Sequence, residues 1–125
     1  MPTARRVEDL ECWQGARRLV SEVYRQSAQG PLARDYALQN QLRRASISIL
    51  ANIAEGFDRY GPAEFHRFLG IAKASSVELR ALLLIARDVG SIAQSDHDQL
   101  SAEASALADS LGKLMKYLRT KRRRA

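Results

Sequence analysis

Three breaks divide this chain, and little else interrupts it. They are Gly30-Pro31, then Gly56 with Tyr60-Gly61-Pro62, then Gly90-Ser91 with Gln94 and Ser95. Glycine and proline are the strongest local punctuators of backbone structure. A chain of 125 residues with only 7 Gly and 3 Pro therefore holds long uninterrupted segments. Four segments remain between the breaks, and each repeats its apolar residues with the 3.6-residue helical period. No Asn-Gly hairpin signal and no sustained alternation is present, so no strand is required. The sequence predicts an all-α fold.

The first segment spans about 9–26, with an apolar stripe of Trp13, Ala16, Val20, Val23 and Tyr24. The second, about 35–58, carries Leu38, Leu42, Ala45, Ile49 and Ile53 within a sector of about 80°. The third, about 62–89, opens on Pro62 and carries Phe65, Phe68, Ala72, Ser75, Leu79, Leu83 and Ala86. The fourth runs from about 96 to 119 or beyond, with Ser95 as the expected N-cap and Leu100, Ala104, Leu107, Leu111, Leu114 and Leu118 as its stripe. Helices of about 18 to 28 residues joined by short connections pack best as an antiparallel up-and-down four-helix bundle. The expected organisation is an arm over 1–8, the bundle over 9–118 and a basic tail over 119–125.

Two helices carry more apolar surface than one bundle hides. On the second, Ile47, Leu50 and Ala54 lie away from the main stripe. On the third, Gly70, Ala74, Val77, Ala81 and Leu84 form a second, mostly small stripe. These eight residues are the expected oligomer interface, because a contiguous surplus on adjacent helices needs a cover.

The net charge is +6, and it has one address. Residues 1–115 hold 14 basic and 14 acidic side chains, while Lys116, Arg119, Lys121, Arg122, Arg123 and Arg124 stand without acids at the end. Such a run contacts phosphates whatever the base sequence, so these six are the expected nucleic-acid-binding residues, for RNA or DNA. The single cysteine, Cys12, excludes an intrachain disulfide and fits a reducing compartment. No secretory leader and no 18-residue apolar run is present, so a cytoplasmic protein without a membrane span is expected.

Two stretches together resemble a known family. One is Gln41-Leu42-Arg43-Arg44-Ala45-Ser46-Ile47-Ser48-Ile49, continuing through Asn52-Ile53-Ala54-Glu55-Gly56; the other is Glu64-Phe65, Arg67-Phe68-Leu69, Ile71-Ala72, Ser75 and Glu78-Leu79. With Trp13, Ala16 and Tyr24 they resemble the bacterial four-helix-bundle family of 23S ribosomal RNA intervening-sequence proteins, which includes the accessory variability protein of diversity-generating retroelements. The resemblance covers about residues 8–118. It implies a homopentamer and, in the retroelement branch, binding to nucleic acid and to a reverse transcriptase. Leu50 stands where members often have proline, which predicts a straighter second helix. Ala74 stands where they often have glycine.

Catalytic and metal chemistry finds no foothold. A di-iron bundle needs Glu-x-x-His pairs, and neither His66 nor His97 completes one. Ser95-Asp96-His97-Asp98 reads as a helix start rather than a triad. Cys12 has no histidine nearby, and no phosphate-cradling glycine loop exists. No cofactor is expected, and the expected role is a non-enzymatic accessory or scaffold protein.

Overall fold

The computed structural model describes residues 4–59 and 61–124, with side-chain surroundings for all of these but 122–124. Four helices span Glu11–Ser27 (α1), Tyr36–Phe57 (α2), Gly61–Asp88 (α3) and Gln94–Arg124 (α4), with 3-10 turns at Val7–Asp9 and Gly30–Arg34. No strand occurs among the described residues. The breaks have a backbone cause. Gly30, Gly61 and Gly90 sit at φ of 61°, 80° and 78°, the left-handed region that costs glycine nothing.

Local signals set the helix starts. Asp35 caps α2 by accepting the Leu38 amide at 3.1 Å. α4 begins one residue before the expected cap. The His97 N–H donates to the Ala93 carbonyl at 3.0 Å, so Ser95 already lies in the first turn. The amide of Gln94 donates to Asp98 Oδ1 at 2.7 Å there. α2 runs unbroken through Leu50.

Each helix packs against its neighbours in sequence, and α4 closes on α1. The pairings are antiparallel. Gln26 reaches Asp96 while Gly15 faces Leu107; Ser48 meets Ser75 while Phe57 meets Phe65; Gly70 faces Met115 while Lys73 faces Gly112. The result is the up-and-down four-helix bundle.

The core confirms three of the four stripes. Leu42, Ala45, Ile49 and Ile53 of α2 are buried, as are Phe68, Ala72, Leu79, Leu83 and Ala86 of α3 and every predicted residue of α4. α1 is the exception. It buries Cys12, Ala16, Leu19, Val23 and Ser27, a face rotated about 55° from the predicted one at 100° per residue. Tyr24 is 40% exposed, and Trp13 and Val20 are only half-buried. The rings mislead because each has a cation to cover it: Arg43 lies 4.3 Å from the Tyr24 centroid and Arg17 lies 5.9 Å from Trp13. An aromatic ring under a guanidinium is satisfied at the surface. The two short turns add Leu10 and Leu32 to the core, neither of which belongs to a helical stripe.

Candidate nucleic-acid and assembly surfaces

The basic end is the last part of α4, which stays helical through Arg124. Lys116, Arg119 and Lys121 are exposed and make no ion pair among the described residues. Lys121 lies 5.5 Å from the Tyr117 ring centroid, and the Thr120 hydroxyl donates to the Tyr117 carbonyl at 2.6 Å. The side chains of Arg122, Arg123 and Arg124 lie outside the described residues.

Antiparallel topology brings other arginines to this end of the bundle. Arg5 and Arg6 precede α1, Arg59 follows α2, and Arg67 lies in the second turn of α3. The last two are already engaged. Arg59 pairs with Glu55 at 2.7 Å and Arg67 with Glu64 at 2.9 Å. Both guanidiniums lie over Phe68, at 5.1 Å and 4.5 Å. The hydrogen bond from Arg67 holds the Glu64 carboxyl below its ordinary range. Arg44 and Glu78 are exposed on other faces.

The expected interface residues divide into two groups. On α3, Val77 is 57% and Leu84 43% exposed, Ala74 and Ala81 are exposed, and Gly70 is half-buried. Ile85, at 52%, widens this strip. On α2, Ile47 is 40% exposed, but Leu50 packs partly against the core. Ala54 is half-buried and lines a depression with Arg5, Arg6 and Val7 of the same chain. The N-terminal turn thus accounts for part of the apolar surplus on α2.

Polar residues of the two sequence stretches tie helices together. Arg43 turns inward and donates to Ser27 Oγ at 2.8 Å, so its partners lie within the chain rather than across an interface. Gln39 donates to the Ser27 carbonyl at 2.8 Å. Ser48 and Ser75 share a hydrogen bond of 2.8 Å between α2 and α3, and Asn52 donates to the Ser48 carbonyl at 2.8 Å. Gly56 is required by closeness. A Cβ there would stand 2.6 Å from Phe68 Cβ and 3.3 Å from the Phe65 carbonyl oxygen.

A groove between α1 and α4 is the other polar feature. It encloses about 200 Å³ between Cys12, Gly15, Arg18, Glu103, Leu107 and Ser110. Burial pushes the Cys12 thiol up to about 11, which leaves it protonated and poorly nucleophilic. Glu103 Oε2 is shielded and accepts no hydrogen bond among the described residues. Burial first, then the charge of Glu22, raises its pKa. At the opposite pole His97 is buried, with Nδ1 2.9 Å from Asp98 Oδ1. That contact, with Gln94, holds the Asp98 carboxyl low. No cluster of metal-ligating side chains, and no helix long and apolar enough to cross a membrane, exists among the described residues.

A protein of unknown function from the S23 ribosomal protein family of Bacteroides thetaiotaomicron has a solved structure with the same fold. It is 18% identical, with a TM-score of 0.77 over 84% of this chain and 98% of that one. No curated protein matches the sequence. The family model of the 23S rRNA-intervening sequence protein matches residues 8–113, which takes in all four helices. The chain belongs to the 23S rRNA-intervening sequence protein family.

Proposed function

We propose that this protein is a non-enzymatic, homo-oligomeric accessory protein of the cytoplasm that binds RNA or DNA through phosphate contacts at its basic end. The observation that carries the reading is the end of α4: Lys116, Arg119 and Lys121 are exposed on a continuous helix without acidic partners. A helix already formed presents its cations without the ordering cost that a disordered segment incurs on binding. Tyr117 is the one aromatic residue beside them, so contact is expected with the backbone and not with base edges.

The α3 strip around Val77, Ala81 and Leu84 supports self-association, and Ile47 is the exposed one of the expected residues on α2. A pentamer would gather five basic ends and raise avidity without new contacts. A reverse transcriptase is the candidate protein partner suggested by the retroelement branch of the family.

Binding titrations with structured RNA and single-stranded DNA across several salt concentrations test the nucleic-acid reading. Six cations predict a log–log salt slope of up to about 4 per subunit on single strands. Deleting residues 119–125 is expected to flatten most of it. Absence of binding at low salt overturns the reading. Sedimentation tests assembly: Val77→Glu with Leu84→Glu is expected to give the 14.0 kDa subunit, and a wild-type monomer overturns the oligomer.

A second reading is a protein-interaction scaffold, favoured by the breadth of the α3 strip, which Ile85 extends. Its partners would survive nuclease treatment in a pull-down.

A further inference from the structure

The basic end continues into a row of cations that runs back along the seam between α3 and α4. Lys73 fixes its course. Its Nζ lies 3.7 Å from where a Cβ on Gly112 would stand, so this α3 side chain reaches across to α4 over a residue with no side chain. Gly70 faces Met115 Cε at 3.7 Å in the same seam. Residues three or four apart share a helix side. Arg119 therefore follows Met115 on the α3-facing side of α4, and Lys116, four residues after Gly112, stands at the outer edge of that side, next to Lys113 and Asp109. Arg80, seven residues beyond Lys73, lies on the α4-facing side of α3 by the same rule, so the row borders the Val77 and Leu84 strip and would run along the rim of an assembly built on it.

These four cations share with Arg18, Arg44 and Lys113 the lack of an ion pair among the described residues, and differ from them in lying along the two helices that flank one seam. Lys73, Arg80, Lys116 and Arg119 are all exposed, and none makes an ion pair among the described residues. Arg59, Arg67, Arg25 and Arg87, by contrast, are each matched to a carboxylate. The acids of α3 that lie near its middle and start, Glu64 and Glu78, fall on the α2 side by helical register, and Glu103 of α4 faces the α1 groove. Asp109, seven residues before Lys116, lines a groove with Leu10 and Cys12.

We propose that Arg80, Lys73, Lys116 and Arg119 form a track for the phosphodiester backbone of a single nucleic-acid strand, leading along the α3–α4 seam into the basic end. At 1.5 Å per residue the row is about 21 Å long. A duplex turns once in about 34 Å, so over that length either of its strands swings away from a straight row. An extended single strand follows it. The row itself consists of lysines and arginines, so its contacts are with phosphates.

The inference rests on the nucleic-acid reading above, and one set of titrations separates the two. Fluorescence anisotropy is measured against salt with oligo-thymidine and oligo-uridine strands of about 15 nucleotides and with a duplex of equal length. Lys73→Gln with Arg80→Gln is expected to lower the single-strand salt slope by about 1.4, at about 0.7 per lost phosphate contact. The duplex slope is expected to stay unchanged. Arg18→Gln with Arg44→Gln removes the same charge from exposed sites on α1 and α2 and is expected to leave both slopes as they were. An unchanged single-strand slope in the seam variant overturns the track while leaving the basic end intact. An equal fall in the Arg18/Arg44 variant, or with the duplex, overturns it too. Wild-type protein that binds no strand at low salt removes the underlying reading itself.

Discussion

The α2–α3 and α1–α4 pairs use similar residues, yet they meet at different distances. At the end of α2, Gly56 lets the chain press against Phe68, and Phe57 meets Phe65 edge to face at 5.9 Å. Between α1 and α4, a Cβ on Gly15 would stand an ordinary 3.5 Å from Leu107 Cδ1, and a groove of about 200 Å³ opens beside it. Both pairs contain a helical glycine. Only one of those glycines is there because a backbone-close approach demands it. The difference teaches that residue type alone does not set how tightly two helices pack; the shape of the facing residue does.

Replacing each glycine in turn tests that contrast. Gly56→Ala is expected to cost about 1–3 kcal/mol, since an inserted methyl must displace a Cβ and a carbonyl that cannot swing aside. Chemical denaturation would measure it, and a neutral result would mean that the helices part freely. Gly15→Ala is expected to do the opposite and stabilise by about 0.5–1 kcal/mol, because the space accepts a methyl and alanine is the better helix former. A loss of stability there would show that the groove is closed in solution.

Glu103 sharpens the contrast further. Its folded-state pKa is raised, so folding favours its protonated form. That contribution is present below the ordinary carboxylate pKa and is lost as pH rises through the raised value. Glu103→Gln is therefore expected to raise the melting temperature at pH 7 and to leave it unchanged near pH 3. An equal gain at both pH values would assign the effect to packing. A single hydrogen bond is at stake at Ser75, where Ser75→Ala removes the link to Ser48. A cost of about 1 kcal/mol is expected, readable as a modest drop in denaturation midpoint, with α2 and α3 still paired.

Much of this was legible in the chain. The three stops coincide with the three positive-φ glycines, and the leucine-rich stripe of α4 is buried throughout. Leucine has no polar atom to satisfy at a surface, so its period reports the core directly. α1 was legible only in part. Trp13 and Tyr24 point to one face as the inner one, but each finds an arginine outside it, and Leu19 packs inward instead. The six basic residues were equally plain as a group, but their count located charge along the chain and not in space. Lys73 and Arg80 carry no local signal, because a lone cation on a helix is the ordinary surface residue.

The sequence by itself determined that this chain makes four helices, where they stop, and which residues of three of them face inward. Those properties depend on backbone freedom at single glycines and on a period of 3.6 residues, both of which are local. Tertiary structure alone decided which face of α1 is buried, that Val7 shares the covering of α2, that Gly56 cannot bear a side chain, and that Lys73 lies over Gly112. Each depends on a residue distant in sequence brought within a few ångströms by the antiparallel packing, a relation that no local pattern encodes.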